Sequence, residues 1–461
     1  MKENNFTTGR ILMPLMKFAL PVLFAFFLQS MYGAVDLMVV GKFAAPTEQS
    51  AVATGSQILV TITNVIVNFA MGVTIYLGHL IGEGNSHKGG KVIGTGIILF
   101  GGISVALTAL VPIFSPQLCR WMNAPADAFA STVDYVKICG LGIIVITAYN
   151  LIGSIFRGIG DSKTPLMTVA IACVFNIVGD IVLVKNFGLG ARGAAYATVG
   201  AQFISVVISF IVIAKRDLPF EFGRKYIKAD KTSMRKIVAF GLPMALQDLL
   251  VGLSFVVILA VANKFGAQVS AAVGVAEKVC AFIMLLPISL MQAISAFVAQ
   301  NYGAGKYDRA IKAFRYAVEA SIAFGVVMFL FAYFKGDLLA VIFSKDSTVV
   351  NYAFHYLKAY AIDCLFTCFL FCYIGFFNGI GKTAFVSVQG VLGAFAIRVP
   401  VCIFMSKWDV FADNVIYRIF HIGLSIPCST IFQIILCTVC FVIVRKKLLS
   451  RENEKLQEKN N

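Results

Sequence analysis

Residues 15–40 read LMKFALPVLFAFFLQSMYGAVDLMVV, and this apolar stretch decides the fold. A helix of about 20 apolar residues crosses the roughly 30 Å hydrocarbon core of a bilayer, so the stretch predicts one membrane span. Further runs of similar length follow along the whole chain. The twelve predicted spans are 15–40, 51–81, 91–116, 130–157, 166–186, 193–215, 236–262, 268–301, 311–334, 347–378, 384–406 and 415–445. The sequence therefore predicts an all-α integral membrane protein with 12 transmembrane helices.

The composition agrees with burial in a membrane rather than in several soluble cores. Of the 461 residues, 59% are apolar and 13% are charged, whereas a soluble globular chain is about 45–50% apolar and 25% charged. The formal charge of +16 does not indicate nucleic-acid binding, because a nucleic-acid binder concentrates Lys and Arg on one solvated face. No nucleic-acid partner is expected.

The basic residues instead follow the predicted topology. They concentrate in segments that the positive-inside rule assigns to the cytoplasm. The richest of these joins the sixth and seventh spans and carries Lys215, Arg216, Arg224, Lys225, Lys228, Lys231, Arg235 and Lys236. We expect a multi-pass protein of the cytoplasmic membrane with both termini in the cytoplasm, and anionic lipid headgroups as sufficient partners for the basic segments.

The two halves of the chain repeat each other. FALP at 18–21 recurs as FGLP at 240–243, and FRGIG at 156–160 recurs as FNGIG at 377–381. Six spans per half give both halves the same orientation, and such repeats frame a central path that opens alternately to the two sides. The predicted organisation comprises two pseudo-symmetric six-helix lobes, residues 1–215 and residues 236–445. A linker of residues 216–235 joins them, and residues 446–461 form a tail.

Carboxylates inside the predicted spans are candidates for function, because a charge at mid-bilayer is costly unless it is paired or hydrated. The first span contains Asp36, and the fifth contains Asn176 and Asp180, four residues apart and therefore on one helical face. Two carboxylates and an amide oxygen suit a desolvated Na⁺ or a shared proton. The second half has Ile258 where the first has Asp36, and it reads Ala396, Arg398 and Pro400 near the Asn176/Asp180 position, so the duplicated scaffold has one acidic centre.

Other polar residues in the second half are weaker candidates for a substrate cavity. Asp248 and Asp363 lie deep in the seventh and tenth spans. Gln247, which lies between Leu246 and Asp248, is a further candidate for the substrate cavity. Arg398 could neutralise one of these acids and form a structural ion pair instead. The roles of Asp248 and Asp363 stay open at this point.

Catalysis is not predicted. The four histidines form no HExxH motif or metal-ligand cluster, and the glycines from Gly375 to Gly381 are one residue too far apart for a phosphate loop. The eleven cysteines lie mostly inside apolar spans, where they pack as small hydrophobic residues rather than forming a disulfide framework. We expect no enzyme activity, no cofactor, and no metal other than a coupling Na⁺.

The helix 1 segment ALPVLFAFFLQSMYGAVDLMVVG, the turn RGIGDSKTP at 157–165, FNIVGD at 175–180 and NYGAGKYDRA at 301–310 resemble the multidrug and toxic compound extrusion (MATE) family. The resemblance runs from about residue 10 to 445. Within the family, the acidic residue of the first span together with the Asn and Asp of the fifth resembles the DinF-like prokaryotic branch. It implies a coupling-cation site in the first lobe. The residues that it implicates are Asp36, Asn176, Asp180, Asn150 and Thr198 for the cation, Gln29 for the drug cavity, and Pro21 for helix bending.

The resemblance also implies an activity. It indicates an antiporter that exchanges H⁺ or Na⁺ for amphipathic, often cationic, organic compounds by a rocker-switch movement, and that acts as a monomer. In the NorM-like branch a carboxylate of the seventh span follows that span's proline by eight residues, but Val251 occupies that place here and Asp248 lies three residues earlier. The alternative is a lipid-linked glycan flippase of the same superfamily, which needs an Arg-rich cavity, whereas only Arg398 lies deep in a predicted span.

Overall fold

The computed structural model describes residues 6–215, 218–407 and 414–460, and within these ranges the chain is helical, with loops, turns and no strand. The helices are α1 Leu12–Phe43, α2 Pro46–Gly82, α3 Gly89–Trp121, α4 Phe129–Leu141, α5 Ile143–Gly158, α6 Lys163–Asp180, α7 Gly190–Ala214, α8 Lys231–Asn263, α9 Ala267–Ile283, α10 Leu285–Gly303, α11 Tyr307–Val341, α12 Ser347–Gly379, α13 Thr383–Leu392, α14 Val399–Lys407, α15 Val415–Gly423 and α16 Ser425–Asn460. π-helical segments follow α6 at Ile181–Asn186 and α13 at Gly393–Arg398.

These helices confirm the predicted membrane architecture. Eleven helical segments of the described residues are long and apolar enough to cross a bilayer, and the number is twelve when the bent pair α4 and α5 is counted as one span. α4 and α5 meet at 52° around Gly142, where a Cβ would lie 2.5 Å from the Val199 side chain of α7. The bend therefore lies where another helix approaches the backbone closely.

The described residues form two compact units, one within Leu20–Ala245 and the other within Phe6–Ala19 and residues 246–460. Both opening helices of the sequence repeat change unit within their length: α1 does so directly before Pro21, and α8 does so shortly after Pro243. The units follow packing rather than the sequence repeat, so their boundaries differ from those of the predicted lobes. Arg216 of the predicted linker and Asn461 of the predicted tail lie outside the described residues.

In the first unit the linker packs on α3 through glycines. A Cβ on Gly94 would overlap the Tyr226 carbonyl, and a Cβ on Gly90 would overlap that of Glu221, so only glycine admits the linker this closely. Asp230 then caps α8, because its carboxylate accepts a hydrogen bond from the Ser233 backbone NH at 2.8 Å. This bond lowers the pKa of Asp230.

In the second unit the segment before α1 is held by a side-chain cradle. The Arg309 guanidinium donates hydrogen bonds to four backbone carbonyls, those of Phe6, Thr8, Gly9 and Arg10, at 2.7–3.1 Å. Phe6 is fully buried and packs its ring against Phe18 and Phe297. The beginning of α1 is therefore fixed within this unit by polar and apolar contacts together.

Candidate functional site

The candidate site lies in the first unit and begins on α6, which carries Asn176 and Asp180 one turn apart. Both side chains are fully buried. The helix changes to π-helical geometry directly after Asp180, an irregularity that is frequent at functional sites. Gly179 lets α7 approach, since a Cβ there would lie 3.1 Å from the Ala197 Cβ.

α1 brings Asp36 to this pair. The Tyr32 hydroxyl donates a 2.8 Å hydrogen bond to the Val169 carbonyl of α6, and Tyr32 packs in an apolar cluster with Cys173 and Ala201 of α6 and α7. Asp36 lies one turn beyond Tyr32 on the same face of α1. This packing therefore places the Asp36 carboxylate, which is 2% exposed, between α6 and α7.

Three helices meet in one hydrogen-bond network. The Asn176 amide donates to Asp36 Oδ1 at 3.2 Å, and the Thr198 hydroxyl donates to Asp36 Oδ2 at 2.9 Å. The same amide lies 3.4 Å from the Thr198 hydroxyl oxygen. The carboxyl groups of Asp36 and Asp180 lie close enough to interact electrostatically. Four predicted residues, distant in sequence, thus converge on one point.

The network leaves several oxygen atoms without donors. Both carboxylate oxygens of Asp180 and the amide oxygen of Asn176 are buried and accept no hydrogen bond from any described group. Two adjacent buried carboxylates are strongly unfavourable when both are ionised, so they share a proton or hold a cation. Among the described residues, no group of three or more His, Cys, Asp and Glu side chains could hold a metal ion. The donor set therefore suits a monovalent cation or a proton better than a tightly bound divalent metal.

Asn150, which was also predicted for the cation site, lines a small cavity and forms no described hydrogen bond to the network around Asp36. Its amide donates a 2.8 Å hydrogen bond to the Ile146 carbonyl of its own helix, and its side chain lines a cavity of about 30 Å³ together with Gln29. The Gln29 amide donates to the Tyr149 hydroxyl in the same cavity at 2.8 Å. The structure thus groups Asn150 with the predicted drug-contact residue, and it places Pro21 inside α1 before this cavity begins at Val22.

Among the lining residues that were not predicted from the sequence, Tyr149 and Arg157 make polar contacts in this cavity. Tyr149 holds Gln29, and Arg157 lines the cavity with a buried guanidinium that donates to Ser154 Oγ at 2.8 Å while its Nε has no described partner. One signal could have identified Arg157, because this basic residue lies near the end of an apolar span. Arg398 is therefore not the only arginine that is buried within a span.

The remaining candidates lie in the second unit, in two different surroundings. Asp363 is buried in α12, where its carboxylate accepts a 2.7 Å hydrogen bond from the Thr367 hydroxyl. Asp248 is half-buried on α8, and the neighbouring Gln247 packs against Gly390, where a Cβ would lie 2.5 Å from its amide nitrogen. These residues are therefore distributed over the second unit and do not join the network around Asp36.

Arg398 occupies the second π-helical segment and ends it. Its guanidinium donates to Ser254 Oγ at 2.9 Å, lies 4.4 Å from the ring centroid of Phe255, and interacts electrostatically with Asp363. The two units thus share the same helical irregularity, but the first places the carboxylate of Asp180 beside it and the second places a guanidinium.

Comparison with known proteins agrees with this architecture. The sequence profile of the MatE family matches residues 21–182 and 243–404, one match in each half of the chain. The probable multidrug resistance protein YoeA of Bacillus subtilis is 26% identical over 408 residues, covering 85% of this chain and 86% of that protein. The probable multidrug resistance protein NorM of Thermotoga maritima is 25% identical over 404 residues, covering 86% and 85%.

Solved structures show the same fold. A structure described as the outward-facing conformation of a multidrug resistance MATE family transporter superposes with a TM-score of 0.87, covering 98% of this chain and 99% of that one at 18% identity. A transporter of the MOP superfamily from Pyrococcus furiosus superposes with a TM-score of 0.88 at the same identity and coverage. Both similarities extend over both predicted halves.

Proposed function

Because the chain belongs to the MatE family, we propose that it is an antiporter that exports amphipathic, often cationic, organic compounds in exchange for H⁺ or Na⁺. The observation that carries this proposal is the buried network in which Asn176 and Thr198 donate to Asp36 beside the unbonded carboxylate of Asp180. Relatives named as multidrug resistance or multidrug export proteins support the substrate class.

Coupling follows from the electrostatics of the carboxyl pair. A proton or Na⁺ that enters between Asp36 and Asp180 removes their repulsion, so the cation binds more tightly to a conformation that brings the carboxyls together. A substrate that binds more tightly to the opposite conformation is then released when the cation binds, because each ligand shifts the equilibrium by its differential affinity. α1 carries both Asp36 and Pro21, so bending near Pro21 can pass this change along the helix.

The direction of transport rests on the topology. We assign the side of the membrane that holds the linker and both termini to the cytoplasm, because the linker carries the largest concentration of basic residues. Substrate then enters from the cytoplasm, and Gln29 and Tyr149 offer polar contacts beside apolar residues such as Phe26. We propose that the transporter works as a monomer without a cofactor. The glycan flippase is not favoured, since the named relatives above are multidrug resistance proteins.

Efflux by purified protein in liposomes tests the proposal. A pH gradient and a Na⁺ gradient are imposed separately on liposomes that contain the wild-type protein. The gradient of the coupling ion should drive transport of a fluorescent organic cation. Asp36→Asn should abolish gradient-driven transport, because the amide can be neither ionised nor protonated in the working range.

The matched control is Asp134→Asn, which removes a partly exposed carboxylate of α4 that pairs with Arg192. This variant should transport like the wild type. Wild-type rates in Asp36→Asn, at equal protein incorporation, would show that the network does not couple transport. Equal loss in both variants would show that the assay reports folding rather than coupling.

A further inference from the structure

A second, larger cavity of about 230 Å³ lies in the first unit, away from the residues of the candidate cation site. α3, α5 and α7 form its walls, and Leu218 and Phe222 of the linker close one end. Apart from Ser104 and Thr147, the lining side chains are apolar. An apolar cavity of about 150 Å³ already binds benzene, so this one has room for a longer hydrocarbon group.

The cavity has the depth of one leaflet. On α3 the lining residues run from Ile93 to Ser104, eleven residues apart, which corresponds to about 16 Å along a helix. Half of the hydrocarbon core of a bilayer is about 15 Å thick. The lining of α5 covers a similar length from Phe156 to Ile144. The cavity therefore extends from the linker side of the membrane to about its midplane.

The cavity opens at the surface of the unit. Phe210 is 57% exposed and Ile144 is 46% exposed, and both belong to its lining. In a membrane protein, exposed aromatic and aliphatic side chains at this depth face hydrocarbon rather than water. A lipid chain can therefore enter from the side without crossing a polar barrier.

The linker end of the cavity is basic. Lys215 follows the lining residue Ile213 by two positions, and Arg224 follows the lining residue Phe222 by two positions. Both cationic side chains are exposed. Lys225, by contrast, forms an ion pair with Glu221 at 3.0 Å. Two exposed basic residues thus lie close in sequence to the linker end of the cavity, in a segment for which anionic lipid headgroups are favourable partners.

We propose that this cavity is a binding site for an anionic phospholipid of the leaflet on the linker side. One acyl chain lies between α3, α5 and α7, and the phosphate and anionic headgroup contact Lys215 and Arg224. This lipid also contacts the linker through Leu218 and Phe222, so its binding stabilises the packing of the linker against the first unit. The proposal does not depend on cation-coupled export, because it concerns equilibrium binding.

The glycines of α3 provide a matched pair of variants. Gly101 lines the cavity and Gly102 does not, and a Cβ on either glycine meets nothing within 4 Å. Gly101→Leu therefore fills the cavity without a backbone clash, and Gly102→Leu adds the same side chain one position away. A second pair separates the headgroup: Lys215→Gln with Arg224→Gln, against Lys446→Gln with Lys447→Gln in the exposed basic part of α16.

The experiment is native mass spectrometry of the delipidated protein with dioleoyl-phosphatidylglycerol and dioleoyl-phosphatidylcholine. Wild-type protein should bind the anionic lipid about 30-fold more tightly, as two basic residues at a membrane surface would give. Gly101→Leu should weaken the binding of both lipids about tenfold or more, whereas Gly102→Leu should not. Lys215→Gln/Arg224→Gln should remove the preference for phosphatidylglycerol, and Lys446→Gln/Lys447→Gln should retain it.

Three results would overturn the proposal. Equal affinity of the wild type for both lipids would exclude an anionic headgroup site, and unchanged binding in Gly101→Leu would exclude the cavity as the place of the acyl chain. Displacement of bound phosphatidylglycerol by a transported organic cation would assign the cavity to the substrate path, where the unpartnered hydroxyl of Thr147 offers a polar contact. A loss of transport in Asp36→Asn without a change in lipid binding would leave this proposal intact.

Discussion

Thr198→Val distinguishes H⁺ from Na⁺ as the coupling ion. The substitution keeps the shape of the side chain and removes the hydroxyl that donates to Asp36 Oδ2 at 2.9 Å. A hydrogen bond to a charged group contributes about 1.5–3 kcal/mol. Asn176 remains as a second donor at 3.2 Å, so we take the lower end of this range, which corresponds to about a tenfold change in binding.

The sign of the effect depends on the ion. If a proton couples transport, the ionised form of Asp36 loses a donor, the proton binds more tightly, and the pH at half-maximal efflux rises by about one unit. If Na⁺ couples transport, the site loses an oxygen ligand, and the half-saturating Na⁺ concentration rises about tenfold, because hard cations are held by oxygen atoms. Each outcome appears in a different titration.

The assay is dye efflux from proteoliposomes, titrated once with pH at constant Na⁺ and once with Na⁺ at constant pH. Thr168→Val is the control, because that buried hydroxyl donates to the Pro165 carbonyl of its own helix. Its two midpoints should match those of the wild type. A role of the Thr198 hydroxyl in the coupling site would be refuted if the half-maximal proton concentration and the half-saturating Na⁺ concentration of Thr198→Val both stayed within twofold of the wild-type values.

Two further predictions concern stability. Arg309→Ala should lower the free energy of unfolding by about 1–3 kcal/mol, because four carbonyls lose a charged donor. It should also speed hydrogen exchange at residues 6–10. The control variant Arg315→Ala loses an exposed ion pair with Glu319 and should lower the free energy of unfolding by less than about 0.5 kcal/mol. Asp230→Ala should cost about 1 kcal/mol at pH 7. Because its cap bond lowers the pKa of Asp230, this difference should persist above the unfolded value of about 3.9 and vanish in thermal scans as the pH falls through the lower folded value.

The membrane spans and the family could be predicted from the sequence for a simple reason. A run such as 15–40 crosses the bilayer whatever its neighbours are, so length and polarity suffice. The twelve spans, the MatE family and the absence of an enzymatic role are confirmed by the helices and the family match. The bend at Gly142 was not predictable, because it depends on the approach of Val199, which lies far away in sequence.

Part of the site was readable for a local reason and part was not. Asn176 and Asp180 share a face because they are four residues apart on one helix, which the sequence states directly. The contact between Asp36 and Thr198 joins residues 162 apart in sequence, and only the family resemblance suggested it. Arg157 was not predicted as a site residue, because its burial depends on how α5 is rotated about its axis and hydropathy does not report this rotation.

The exchange of the opening helices was equally invisible in the sequence. Phe6 precedes α1 and reads as part of a polar N-terminal segment, yet it is fully buried against Phe18 and Phe297. The carbonyls that follow it bind Arg309, whose partners cannot be recognised as backbone atoms from any motif. The assignment of residues 6–19 to the second unit therefore arises from packing alone.

The duplicated scaffold offers a reason for placing the proposed coupling in one unit. Both units contain a buried aspartate near a π-helical segment: Asp180 in the first and Asp363, beside Arg398, in the second. In the second unit the positive charge near the carboxylate is a guanidinium fixed to the chain, and it cannot leave during a transport cycle. In the first unit the carboxyls of Asp36 and Asp180 interact electrostatically, the described donors to Asp36 are neutral amide and hydroxyl groups, and Asp180 has no described donor. In the proposed mechanism the positive charge that balances this pair comes from solution, and it couples an ion gradient to substrate movement because it binds and leaves in each cycle.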